Sequence, residues 1–295
     1  MTDSYDAEGQ GESGLRRLVA PNPSPMTETG TNSYVLGTTD LAVIDPGPDD
    51  AAHLAALERA VAGRPVRAVI VTHSHLDHSP GAAPLADKLD APVLAFGPSE
   101  AGRSAVMRGL DGLVGGGEGV DAGFRPDERL ADGALVTGEG WTLEALHTPG
   151  HMANHLSLHW RERNETFTGD TVMGWASTLI SPPDGDLGQF MASLDRLEAL
   201  EARRFHPGHG APIDASSARC RALRTHRLGR EAAVLAALSR PQRIADLVPQ
   251  IYADTPPPLH GAAARNLLAH LVHLEQTGRV AAAPDIHPDA LWQRL

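Results

Sequence analysis

Cysteine is nearly absent: Cys220 is the only one among 295 residues. An internal disulfide is therefore excluded, and so is a cysteine-rich zinc site. Lysine is as scarce, since only Lys88 among the 25 basic residues is a lysine; with so much alanine this reads as composition bias. No apolar run approaches the length that crosses a bilayer. The segment Met1–Gly14 lacks the basic start and apolar middle of a signal peptide. Its acidic, Gly/Ser-rich composition reads as a disordered tail on a cytoplasmic protein. Positive charge is short overall, with a net −12. It is also uneven, because Arg221–Leu295 holds nine Arg against six Asp/Glu, so the excess of acid lies in the rest of the chain. An acidic body repels polyanions at long range, which counts against tight sequence-independent nucleic-acid binding.

What the chain does have is histidine, 15 in all, at 41% hydrophobic composition, enough for one large domain and a small one. Val66–Val71 is a short β-branched run that reads as a buried strand. It leads into Thr72-His73-Ser74-His75-Leu76-Asp77-His78. Three imidazoles and a carboxylate at one strand end are expensive for a core. In an extended segment, residues two apart face the same way, so His73 and His75 can share one metal ion. Asp77 and His78 follow, where a turn can aim them at a second. Imidazole and carboxylate ligands without thiolate suit zinc, with iron or manganese as the alternatives.

Around that stretch the pattern is layered. Asn32–Gly37 and Leu41–Gly47 read as a hairpin, and Asp45 closes its second strand before Pro46-Gly47. Asp45 is read either as a group orienting a metal ligand or as a turn residue bonded to its own backbone. His53–Ala62 and Gly81–Leu89 read as helices and Ala91–Ala95 as a strand, which gives strand–helix–strand units and an α/β class. The glycine-rich Gly97–Gly123, with Gly115-Gly116-Gly117, lacks a phosphate-loop pattern and reads as a flexible loop over the site. Trp141–His147, Leu156–Trp160 and Glu165–Thr168 read as strands, and Asp186–Leu200 as an amphipathic helix with an acid at its start. Separate strand ends then deliver His151, Asp170 and His209, each next to or following a glycine that lets the backbone turn. His147, His155, His159 and His206 lack that context and read as supporting or surface groups. Asn154 reads as a weak candidate for substrate contact. After Ile213 the chain turns helical: Ser217–Leu238, a helix opened by Pro241, then Ala262–Gln276 and a β wing from Gly278. That order describes a winged-helix unit, which serves either to bind nucleic acid or as a packing module.

His73-x-His75-x-Asp77-His78, His151, Asp170 and His209 resemble the metallo-β-lactamase superfamily in identity and order. The resemblance implies a four-layer αββα sandwich with the site at one edge of the sheets. It also implies that His73, His75 and His151 hold one metal, Asp77, His78 and His209 a second, and Asp170 bridges them. Asn32-Ser33-Tyr34-Val35, Ile44-Asp45-Pro46-Gly47, Thr148-Pro149-Gly150-His151, Pro207-Gly208-His209-Gly210 and Asn266-Leu267-Leu268-Ala269-His270-Leu271 extend the likeness to the lactamase-β-like protein 2 group, which carries a C-terminal winged helix. That group includes single-strand endoribonucleases, and related fungal members look like thioesterases. Asp170 departs from zinc β-lactamases and argues against lactams. Having Lys88 alone departs from the basic tail of glyoxalase II enzymes. The expected division is a tail over 1–14, a catalytic domain over 15–216 and a winged-helix-like domain over 217–295.

Two divalent ions, zinc first, would share a water, lower its pKa and stabilise the oxyanion, with Asp77 as both ligand and proton acceptor. The resulting expectation is a binuclear zinc hydrolase whose metal-bridging hydroxide attacks a small-molecule ester or thioester. The alternatives are a metal-dependent endoribonuclease on single-stranded RNA and, of another class, a nucleic-acid-binding regulator with a structural metal site. Nucleic acid is the less favoured partner, no membrane partner is expected, and a homo-oligomer is compatible with the sequence.

Overall fold

The computed structural model describes residues 14–295, apart from 115, 116 and 118. The tail expected before Gly14 therefore lies outside the described residues, as do two glycines of the Gly115-Gly116-Gly117 run.

Alternation along the first strands sets the layers. In β2 (Asn32–Leu36), Tyr34 and Leu36 pack on one side and Val35 on the other; in β3 (Leu41–Ile44), Ala42 and Ile44 are opposed to Leu41 and Val43. A strand buried on both faces needs a partner layer on each. With β1 (Leu15–Val19) these strands form an antiparallel meander, which continues in parallel through β4 (Val66–Ile70), β5 (Val93–Ala95) and the two-residue β6 (Glu128–Arg129). The parallel steps need crossovers, and helices supply the first two: α1 (Ala51–Val61) before β4 and α2 (Ala82–Leu89) before β5. Asp50 caps α1 by accepting from His53 N–H. Leu54, Leu57 and Leu85 then cover the outer face of this sheet.

The second sheet runs in the order β11-β10-β9-β8-β7. Its strands are β7 (Leu135–Gly138), β8 (Trp141–His147), β9 (Leu156–Trp160), β10 (Glu165–Gly169) and β11 (Arg204–Pro207). All neighbours are antiparallel except β10 and β11, whose parallel step is bridged by α4 (Leu187–Ala199). Leu143, Leu156, Leu158 and Phe167 meet Tyr34, Ile44 and Ile70 between the sheets. On the far side Leu187, Phe190, Leu194 and Leu197 of α4 pack with Phe205. Asp186 caps α4 by accepting from Gly188 and Gln189 N–H, so the acid expected at that helix start acts as its cap. The result is the αββα sandwich. The segment expected as one loop between Gly97 and Gly123 contains a short helix, α3 (Ala105–Gly109).

The C-terminal helices are α5 (Ser216–Ala237), α6 (Ile244–Ile251) and α7 (His260–Gln276), followed by a hairpin of β12 (Val280–Ala283) and β13 (Leu291–Arg294). This is the winged-helix order. Pro241 does not open α6; the helix begins three residues later, where Asp246 closes a capping box with Arg243. Cys220 and Leu223 near the start of α5 share the core under α4, whereas Val234 and Leu238 belong to the C-terminal core. On α7, Leu267, Leu268, Leu271 and Leu274 are buried in that core, and Ala269 on the opposite side packs toward α4. Among the described residues, no helix is long and apolar enough to cross a membrane.

Candidate metal centre

The ends of β4, β8, β10 and β11 lie at one rim of the two sheets. After β4 the chain bends at Thr72 and His73 and turns over Leu76–His78. The extended segment expected for His73 and His75 is therefore absent, although a single bridge pairs His75 with Val120. Their rings meet all the same: His75 Nδ1 lies 3.0 Å from His73 Nε2 and 2.9 Å from His151 Nε2. Beside them, His209 Nε2 is 3.3 Å from His78 Nε2 and 3.2 Å from the Asp77 carboxylate. Asp170 stands between the groups, 3.6 Å from both His78 and His151 and 3.3 Å from His209. Thus all seven residues singled out from sequence come together. His73, His75 and His151 form one group, Asp77, His78 and His209 another, and His73, His78 and Asp170 a third; the donor atoms within each lie within 4.8 Å of one another.

This packing fits divalent cations. A neutral imidazole has one N–H, yet His75 Nδ1 is approached by two other ring nitrogens, and one proton cannot satisfy both contacts. Asp170 Oδ1 is buried and has no donor among the described residues. Leaving such an acceptor unpaired costs about 1–3 kcal/mol in a protein interior, whereas a cation would use it. The donor set, imidazole and carboxylate only, suits zinc, iron or manganese.

The far ring nitrogens fix which nitrogen faces inward. His151 Nδ1–H donates to the Leu179 carbonyl at 2.8 Å and His209 Nδ1–H to the Gly30 carbonyl at 3.2 Å. His78 Nδ1–H donates to Asp45 Oδ2 at 3.0 Å. Thr72 Oγ1 donates to Asp45 at 2.8 Å and so accepts from His73 Nδ1–H at 3.0 Å. Each of these four rings then turns Nε2 into the centre. Asp45 also accepts from Thr72 N–H at 2.7 Å and adopts φ +48. Of its two sequence readings, the orienting role is the one its contacts fit.

Sequence reasoning undervalued His155. It is fully buried, stacks on His73 at 5.0 Å, and its Nε2 accepts the Asp170 N–H at 3.1 Å. The signal was its place four residues after His151, before an apolar strand, which alone is weak. Its three companions stay outside the centre: His147 stacks on Phe96, His159 meets Thr166, and His206 pairs with Glu165. Asn154 is not available to substrate; it is buried and donates to Ser74 Oγ and the Gly97 carbonyl. The Leu179 and Gly30 carbonyls were invisible to sequence, because any residue carries one. Gly208 is required by space, since a Cβ there would sit 2.4 Å from Asp170 Oδ1 and 2.8 Å from His78 Cε1.

The electrostatics divide the centre in two. Burial, aided by the His151 ring, pushes His75 down to about 3, and burial lowers His73 and His151 as well. Burial opposes protonation of His78 also, but Asp77, Asp170 and Asp45 outweigh it and raise this histidine to about 9. For His209 burial is again overcome, by Asp170 and Asp77, and the pKa rises to about 11. Burial works against ionisation of the two aspartates, yet His78 and His209 hold both carboxylates below their usual range. One half thus offers neutral nitrogens. The other attracts positive charge, which protons supply until a metal displaces them.

The centre opens into a cleft of about 350 Å³, where Asp77, 28% exposed, and His75 face the space. Gly117, Gly119 and Val120 from the glycine-rich segment line one wall. Ala262 and Arg265 of α7 line another, so the third helix of the C-terminal unit is a wall of the site.

With the fold and the centre in view, comparison with known proteins places the chain. It belongs to the metallo-β-lactamase superfamily and is a hydrolase of that superfamily: the superfamily's model matches residues 26–209, and a beta-lactamase associated winged helix domain matches residues 244–292. Within it, the chain is similar to the Beta-lactamase-like protein 2 homolog of Caenorhabditis elegans, 32% identical over 273 residues, 90% of this chain and 85% of the relative. It is also similar to the Atrochrysone carboxyl ACP thioesterase of Aspergillus fumigatus, 31% identical over 233 residues, 77% of this chain and 65% of the relative. Among solved structures, a metallo-beta-lactamase family protein from Thermus thermophilus superposes with a TM-score of 0.75 at 27% identity, covering 96% of this chain and 99% of that one.

Proposed function

We propose that the protein is a two-metal, zinc-preferring hydrolase of an ester or thioester. His73, His75 and His151 would hold one ion, Asp77, His78 and His209 the other, with Asp170 shared. The observation that carries this is the three interlocking donor groups at one open rim. Bound there, divalent cations would acidify water and polarise a carbonyl oxygen. The protein's own groups do the rest. Asp77, the more exposed of the two carboxylates, is placed to take a proton from water in the cleft. Asp45 and the Leu179 and Gly30 carbonyls hold the imidazoles in register. The Arg265 guanidinium at the cleft wall favours a substrate with a negative or electron-rich group. The similarity to a fungal thioesterase supports the thioester choice.

The part walling the cleft is read as a C-terminal module over 217–295, set against a catalytic domain over 15–216. With α7 packed beside the metal centre, its first turn is committed to the cleft, which counts against the regulator reading. The test is metal analysis of the purified protein with a panel of thioesters, a single-stranded RNA and a lactam. Thioester hydrolysis abolished by chelator, and by His75→Ala, is the expected result. RNA cleavage lost in His75→Ala, without thioester turnover, would replace this reading with the nuclease. No turnover at full metal loading would leave the regulator.

A further inference from the structure

Beside the cleft lies a second cavity, of about 460 Å³. Its walls come from both parts of the chain: Trp175 and Thr178 on the segment after β10, Arg227 and Arg230 on α5, Tyr252 beyond α6, and Ala263 on α7. Three observations single it out. First, Met26, Leu179 and Ala262 line both spaces, so the cavity adjoins the cleft that holds the metal centre. Second, large exposed apolar side chains gather on it: Met26 at 59%, Leu259 at 55% and Trp175 at 39% exposed. Scattered exposed hydrophobics need no explanation, but a contiguous set around a concavity marks a binding surface. Third, Arg227, 2% exposed, is fixed at the wall by bonds from its terminal nitrogens to the Thr178 carbonyl and Asn266, which sets a cation beside the space.

We infer that this cavity is the acyl subsite of the enzyme. It takes the apolar acyl group of a thioester whose carbonyl lies at the metal centre, and the Arg227 cation beside it favours an electron-rich end on that group. The assignment rests on the hydrolase reading above and deepens it. An apolar occupant is favoured because Met26, Met173, Leu179, Leu259, Ala262 and Ala263 give the walls a continuous aliphatic share. Trp175 and Tyr252 also offer rings for stacking, and His226, Arg227 and Arg230 add basic groups, so a nucleotide is the competing occupant that the experiment must separate. Volume fits a medium acyl chain or a fused ring, within the range of small-molecule sites. An acetyl group would leave the space unused.

The experiment has a binding arm and a kinetic arm, both on the full chain as purified. Calorimetric titration with 2-naphthoate is compared with acetate, which reports any affinity for the metals alone. Naphthoate is expected to bind at least about tenfold more tightly. Met26→Trp and Ala262→Phe enlarge side chains that line both spaces, and Trp175→Ala removes an exposed wall. All three should erase the preference while keeping the wild-type melting transition. In the kinetic arm, the ratio of kcat/KM for naphthoyl over acetyl thioesters of N-acetylcysteamine should fall by about tenfold or more in the same variants. Equal affinity for naphthoate and acetate in the wild type would overturn the inference. So would a preference that survives all three replacements, or adenosine monophosphate binding that the replacements abolish where naphthoate does not bind. Naphthoate binding sensitive to the replacements, without thioester turnover, would sink the thioester reading while upholding the subsite as an apolar-acid site.

Discussion

Replacing Asp45 tests the orientation of the centre without touching any of the seven proposed ligands. Its carboxylate is buried and accepts from Thr72 N–H, Thr72 Oγ1–H and His78 Nδ1–H at 2.7, 2.8 and 3.0 Å. In Asp45→Ala three buried donors, Thr72 N–H, Thr72 Oγ1–H and His78 Nδ1–H, lose their acceptor, since His73 Nδ1 carries a proton and cannot take the hydroxyl. At about 1–3 kcal/mol for each, the destabilisation comes to roughly 3–9 kcal/mol. A His78 ring free to turn or to shift its proton should weaken metal binding by about 10–100-fold, the usual effect of losing a ligand's outer partner. Asp45→Asn keeps the shape and tolerates the residue's positive φ, but it loses the charge and presents an NH2 group to one of the donors. It should fall between wild type and alanine. Metal affinity measured by competition with a chromophoric chelator, alongside denaturant unfolding of the metal-free protein, separates the two effects. If Asp45→Ala held metal as tightly as wild type and unfolded at the same denaturant concentration, the orienting role would be wrong.

Metal uptake should release protons at pH 7, because His78 near 9 and His209 near 11 carry protons in the metal-free protein; calorimetry in buffers of different ionisation enthalpy counts them, and no release would contradict the electrostatic picture. Since both values stand above that of an unfolded histidine, about 6.5, they stabilise the metal-free fold fully below that pH, and the contribution should fade as pH rises through about 9 and on toward about 11. Melting curves across that window check this, and metal should flatten the decline. Gly208→Ala should abolish metal binding while far-UV circular dichroism stays close to wild type, because the new Cβ strikes the Asp170 and His78 side chains first and meets the backbone only at Gly169, 3.2 Å away at the end of β10. Leu267→Ala, at a fully buried position in the C-terminal core, should cost about 2–5 kcal/mol in denaturant unfolding.

The sandwich was legible because its strands carry their burial in their residues. Past Arg67, the run Ala68–Val71 is apolar on both faces, and α4 shows a stripe that can only face a core. The seven candidate ligands were legible for a related reason: polar, ionisable side chains at the ends of apolar strands are costly unless they share a purpose. What stayed hidden depends on contacts distant in sequence. His155 looks like any strand-edge histidine until its ring lies under His73. Asn154 looks exposed until Ser74 and the Gly97 carbonyl close over it. The walls of the acyl cavity come from Met26, Trp175, Tyr252 and Ala262, residues with no shared pattern, which only the docking of α7 beside the 172–180 segment brings together. The bend at Thr72–His73 likewise could not be read from composition, since the β-branched run gives no sign of where it stops.

The candidate ligands are divided between the two sheets: one leads into His73–His78, the other ends near His151, Asp170 and His209. Ions seated between them would tie together segments 136 positions apart in a chain whose lone cysteine, Cys220, is buried. They would act as a removable rivet through the seam of the sandwich. Stripping them should therefore loosen that rim first, so that hydrogen exchange quickens along the outer ends of β4 and β11 well before the helices on the flanks respond.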